Sequence, residues 1–114
     1  MSRALDRTAI LAVEDLPRLA VEVPEWGGRV YVRMMSAGER DAWESSIVAS
    51  PDKDVRARLA VAVLCDENGE ALFSAADIPA VSKKSGRALD RVFAAATKHN
   101  KMSRADIDEL KKNS

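Results

Sequence analysis

The sequence predicts an α+β fold, mostly helical, with one small antiparallel β-hairpin near the N-terminus. Three observations carry that prediction. Leu19, Val21 and Val23, and after them Val30, Val32 and Met34, alternate with Ala20, Glu22, Tyr31 and Arg33. Side chains on a strand point to opposite faces with period two, so each arm offers one apolar face. Between the arms lies Pro24-Glu25-Trp26-Gly27-Gly28, whose glycines take the positive φ angles of a tight reversal. Ser36 then stands three residues before Glu39, the spacing of a capping box, so a helix follows the hairpin directly. Finally, Ala88, Leu89, Val92, Phe93 and Ala96 recur at the spacing of a broad core-facing helical stripe.

In order along the chain, residues 8–16 read as a short helix with Ile10, Leu11 and Val13 on its apolar side and Pro17 as its stop. The hairpin occupies about residues 18–35. A helix over 37–49 follows, with Trp43 and Ile47 one turn apart facing the core. Ser50-Pro51-Asp52 separates it from the next helix, over 54–65, for which Asp52 or Asp54 is the cap. Val55, Leu59, Ala62 and Val63 form its face. Val61, Val63 and Cys65 also alternate, leaving a strand into the Asp66-Glu67-Asn68-Gly69 turn as the alternative; the helix-forming run Arg56 to Ala60 favours helix.

Ala71-Leu72-Phe73 reads as a brief extended segment, and Ser74 with Asp77 opens a single turn that Pro79 limits. Ser82 or Ser85 caps the long helix over 86–100, with Arg87, Arg91 and Lys98 opposite its apolar stripe. A last helix, 104–112, starts at Ser103 with Asp106 completing the cap and Ile107 and Leu110 as its apolar edge. All of this fits one domain over residues 1–114.

An apolar share of 46% and a charged share of 32% suit a folded chain rather than a disordered one. The formal charge is zero but unevenly spread. Residues 1–81 carry 9 Lys/Arg against 14 Asp/Glu, net −5, and residues 82–114 carry 9 against 4, net +5. Such a split suits head-to-tail self-association or an acidic partner as well as an ordinary solvated surface. The one cysteine, Cys65, excludes an intramolecular disulfide and suits a reducing compartment. Asp6, Arg7, Glu14 and Asp15 interrupt the apolar run that a signal peptide needs, and no stretch approaches a membrane span. A cytoplasmic protein is expected.

Constellations for catalysis are missing. His99 reads as a residue of a helix's last turn, where the dipole favours its cation, and Cys65 as a small core residue. Asp66 to Glu70 has its glycine fourth, where a calcium loop needs it sixth, so a plain turn is expected. Lys83-Lys84-Ser85-Gly86-Arg87 lacks the upstream glycines of a phosphate loop. The basic third has no interleaved aromatics beyond Phe93, which argues against nucleic acid. No cofactor or metal is implied, and no enzyme is expected. Trp26 at the hairpin tip is a candidate contact residue, since tryptophan is enriched at binding hot spots; the alternative is a ring folded back into the core.

The order of motifs is more specific than any one of them. VPEWGG–VYVRMMSAGERDAWE, a central Arg/Ala-rich helix, DENGEALFSAADI, KKSGRALDRVF and a tail ending DELKKN together resemble the tail assembly chaperones of siphophage-type phages and prophages, over about residues 11–113. The resemblance implies a non-enzymatic protein that binds the tape measure protein, keeps its long helices soluble, helps recruit tail tube subunits, self-associates, and is absent from the mature virion. It would act in the cytoplasm of the bacterial host. Many family members are also made in a longer, frameshifted form; Lys112-Asn113 is compatible with a slippery AAA-AAC run, with Ser114 ending the short form. The family supplies no transferable binding residues. Trp26, Tyr31 and Trp43 are the candidates for a hairpin–helix contact surface, and Arg87, Arg91 and Lys98 for a partner-facing basic stripe. Two other classes compete: a minor tail or head-tail junction protein retained in the particle, and a small nucleic-acid-binding regulator.

Overall fold

A computed structural model describes residues 2–112, the side chain of Arg104 excepted. Asn113 and Ser114, on which the frameshift expectation partly rests, lie outside the described residues. The elements run α1 (Arg7–Ala12), β1 (Arg18–Val23), β2 (Gly28–Arg33), α2 (Ala37–Ala49), α3 (Val55–Val63), β3 (Leu64–Cys65), α4 (Ile78–Ser82), α5 (Gly86–His99) and α6 (Arg104–Lys112). The fold is α+β, with a three-stranded antiparallel sheet in the order β1-β2-β3.

The hairpin forms in the expected register. Leu19 faces Val32, Val21 faces Val30 and Val23 faces Gly28, so the apolar residues of both arms share one face. Its connection is a 3₁₀ turn, Pro24–Trp26, closed by Gly27 at φ 73°. That left-handed angle is the conformation a side chain resists. Of the apolar face, Val23 and Val32 are fully buried while Leu19, at the free end of the outer strand, stays exposed.

Ser36 and Glu39 form the capping box of α2: Ser36 Oγ accepts from the Glu39 amide at 3.2 Å, and Glu39 Oε1 accepts from the Ser36 amide at 2.9 Å. Trp43 and Ile47 enter the core as expected. Ser85 caps α5 by accepting from the Ala88 amide, and Ala88, Leu89, Val92 and Ala96 are buried, with Phe93 packed at the edge. Ser103 and Asp106 exchange hydrogen bonds at the start of α6, which packs on α2 and buries Ile107.

Five expectations change. The N-terminal helix is six residues long and ends at Ala12, well before Pro17, and it buries nothing. Asp6 caps its start, whereas Glu14 and Asp15 would place negative charge at its end, where the helix dipole disfavours it. The third helix stops at Val63, and Leu64 and Cys65 pair with Val32 and Tyr31 as a third strand. β-branched Val61 and Val63 weaken a helix, and a free edge of β2 rewards the extended form.

α3 also has no single buried face, since Ala57, Leu59, Ala60, Val61 and Val63 are all buried; it is the central helix, lying against α4 and α5. Its N-cap position is Asp54, but that carboxylate does not cap and instead accepts from Ser82 Oγ at 2.7 Å. Lastly, the turn at Ala75–Asp77 runs on into α4. Pro79 falls in the first turn of α4, where no amide donor is needed, so it does not end the helix.

Candidate interaction surface

The hairpin tip is anchored from outside the sheet. Arg91 Nε of α5 donates to both carboxylate oxygens of Glu25, at 2.8 and 3.1 Å. A hydrogen bond from Glu25's own backbone N–H, with Arg91 adding to it against partial desolvation, holds that carboxyl below the usual range. The clasp ties the turn to α5 at the residue before Trp26, which is 37% exposed.

Trp26 forms one wall of an apolar groove of about 330 Å³. The sheet supplies Val30 and Leu64 as its floor, and Leu72, Phe73 and Val81 close the other side. The last wall depends on the Asp66 turn. Asp66 Oδ1 accepts from the amides of Asn68 and Glu70 at 2.8 and 3.0 Å, and Gly69 takes φ 87°. This reversal returns Ala71 to bridge Cys65, and the Leu72 amide donates to the Leu64 carbonyl at 3.1 Å. Leu72 and Phe73 are thereby held beside the sheet yet remain exposed. Lys84 stands at the rim.

Of the six expected contact residues, the structure brings Trp26, Arg87 and Arg91 together at the hairpin tip. Arg91 is occupied by Glu25, and Arg87 adds its charge to the same carboxylate. Lys98 is exposed in the last turn of α5, at the far end of the helix from Arg87. Tyr31 is half-buried on the face of β2 opposite Val30. Trp43 is 5% exposed and belongs to the core, so it supports the surface from beneath and offers no contact area of its own.

The groove residues Leu72, Phe73, Val81 and Lys84 escaped the sequence reading. Two adjacent large apolar residues between a turn and a cap were the available signal. The exposed arm before β1 escaped it too: Leu5, Ile10, Leu11, Val13 and Leu16 all face solvent.

Cys65 and His99 are engaged separately. The Cys65 thiol is buried against the Tyr31 carbonyl, and burial pushes its pKa up. His99 Nε2 lies 2.8 Å from the Pro17 carbonyl oxygen. Among the described residues, no group of three or more His, Cys, Asp or Glu is placed to hold a metal ion, and no helix is long and apolar enough to cross a membrane.

A family model described as phage tail assembly chaperone matches residues 7–113. This chain belongs to that family. The match spans every element from α1 to α6, so the hairpin, the groove and the basic side of α5 are all parts of a tail assembly chaperone. The solved structure of the bacteriophage HK97 tail assembly chaperone has the same fold, with a TM-score of 0.61 and 23% sequence identity over 86% of this chain and 91% of that one. A search among curated proteins finds no match. The chaperone is an assembly factor and not an enzyme.

Proposed function

We propose that this chaperone binds the tape measure protein of its phage, keeps that protein's long helices soluble, and helps recruit tail tube subunits around it. It acts in the cytoplasm of the bacterial host, associates with further copies of itself, and leaves before the virion is complete. The observation that supports this reading most is the exposed apolar surface on so small a chain: the groove with Trp26, Leu72 and Phe73, and the apolar arm before β1. Contiguous apolar surface on a folded protein marks a place where another chain is covered. Trp26 and the exposed basic residues beside it, Arg87 and Arg91, with Lys98 further along α5, form the partner-facing side, and Tyr31 and Trp43 hold the hairpin and α2 in place behind it.

The test is co-expression with the long helical protein encoded downstream, followed by affinity purification and light scattering. A soluble complex, from a partner that aggregates when made alone, is the expected result. An insoluble partner beside a freely eluting chaperone overturns the reading. Stoichiometric presence of this protein in purified particles would replace it with a particle component.

A further inference from the structure

Among the described residues, the arm and the groove hold most of the large apolar side chains that the fold leaves exposed. α1 buries no residue, and Ile10 and Leu11 are 57% and 67% exposed. The groove is open in the same molecule, with Leu72 50% exposed. Both are held ready. Asp6 caps α1 by accepting from the Ala9 amide at 2.9 Å, so the arm carries a formed helical turn. Its base is pinned at Pro17, whose carbonyl accepts from the Met34 amide at 3.2 Å and meets His99 Nε2. Pro17 lies at the end of the hairpin away from Trp26. Strand β1 between them spans roughly 17–20 Å at about 3.3 Å per residue, so the base of the arm lies a strand's length from the Trp26 wall of its own groove. The radius of gyration, 15.3 Å, exceeds the ~13 Å of a compact chain of this length.

We propose that the arm of one copy seats in the groove of a second copy, with Ile10, Leu11 and Val13 as the anchors, Val30 as the floor and Trp26, Leu72 and Phe73 as the walls. Charge complements the fit. Glu14 and Asp15 follow the anchors, and Lys84 is exposed at the groove's rim with Lys83 exposed next to it in the chain. Each copy gives an arm and receives one, so two copies exchanging arms close a two-fold dimer, and copies that pass the arm onward form a ring or an open chain. This specifies the self-association included in the function proposed above and rests on that part of it alone. The tape measure protein would compete for the same groove, so its binding is read in the co-expression above and self-association in the chaperone alone.

The experiment is light scattering on the full chain over a range of concentrations, with variants on each side of the contact. The wild-type mass is expected to rise to at least twice the 12.4 kDa monomer. The double variant Ile10→Asp/Leu11→Asp touches no buried residue, so its fold is retained, and it is expected at monomer mass throughout. Leu72→Asp is expected at monomer mass as well. Mixing the two variants should restore a one-to-one pair and nothing larger, since one retains the groove and the other the arm. A wild type that is monomeric at every concentration overturns self-association altogether. A wild type that assembles, with the arm variant assembling equally well or the two variants failing to pair, overturns the arm–groove contact and leaves self-association standing.

Discussion

Among the described residues, Asn100 is the one polar residue that is buried, and its amide reaches three parts of the chain. Its Oδ1 accepts from the Met35 amide at 2.7 Å, and its Nδ2 donates to the carbonyls of Ala96 and Arg33 at 3.0 and 3.3 Å. Arg40 adds a bond to the Asn100 carbonyl at 2.9 Å. The residue therefore holds the link between β2 and α2 against the end of α5. Asn100→Ala would strand the buried Met35 amide, a loss of about 1–3 kcal/mol for the unsatisfied donor, and would open a small cavity besides. Urea denaturation of that variant should show a loss of about 2–3 kcal/mol with an unchanged m value. Nothing in the local sequence marks this role. An asparagine after a helix reads as a terminator, and its partners stand 65 and 67 positions away.

The end of α5 carries a feature at the scale of the element. The Met102 amide donates to the Thr97 carbonyl at 2.7 Å and the Lys101 amide to the Lys98 carbonyl at 3.2 Å, the paired bonds of a Schellman motif. Lys101 occupies the left-handed position at φ 54°, where glycine is the favoured residue. Lys101→Gly should raise stability by about 0.5–1 kcal/mol, read as a shift of the denaturation midpoint. Helices α2, α5 and α6 were legible because their caps are local, a serine reading the amide three residues ahead. The α3–β3 boundary was not. Val61, Val63 and Cys65 satisfy both periods, and what decides between them is the free edge of β2, whose Tyr31 pairs with Cys65. The sequence also fitted a helix near the N-terminus but carried no sign that α1 would lie against nothing. The groove was hidden for a related reason: Trp26, Leu72 and Val81 become neighbours only once the Asp66 turn has folded.

Among the described residues, three carboxylates take structural hydrogen bonds that favour their charged form. Glu25 joins the hairpin tip to α5, Glu39 joins β2 to α2 through Arg33, and Asp106 caps α6. Each has its pKa lowered: Glu25 by its own amide and Arg91, Glu39 by Arg33 and Ser36 against the opposing desolvation, and Asp106 by Ser103. A carboxyl whose folded pKa lies below its unfolded value stabilises fully above the unfolded value, roughly 4 for these groups, and loses that contribution as pH falls through the folded one. Thermal unfolding should therefore show stability declining below about pH 5, and Glu25→Gln/Glu39→Gln should be less stable at neutral pH with a flatter acid slope. The wiring of Asn100 has a consequence for synthesis. The hairpin and α2 leave the ribosome first, but the groups that close over them, Arg91 and Asn100, emerge only after most of the chain has been translated. The first half therefore waits, with Val23, Val32 and Trp43 without their full cover, for the last third to arrive, and folding on the ribosome is expected to complete late.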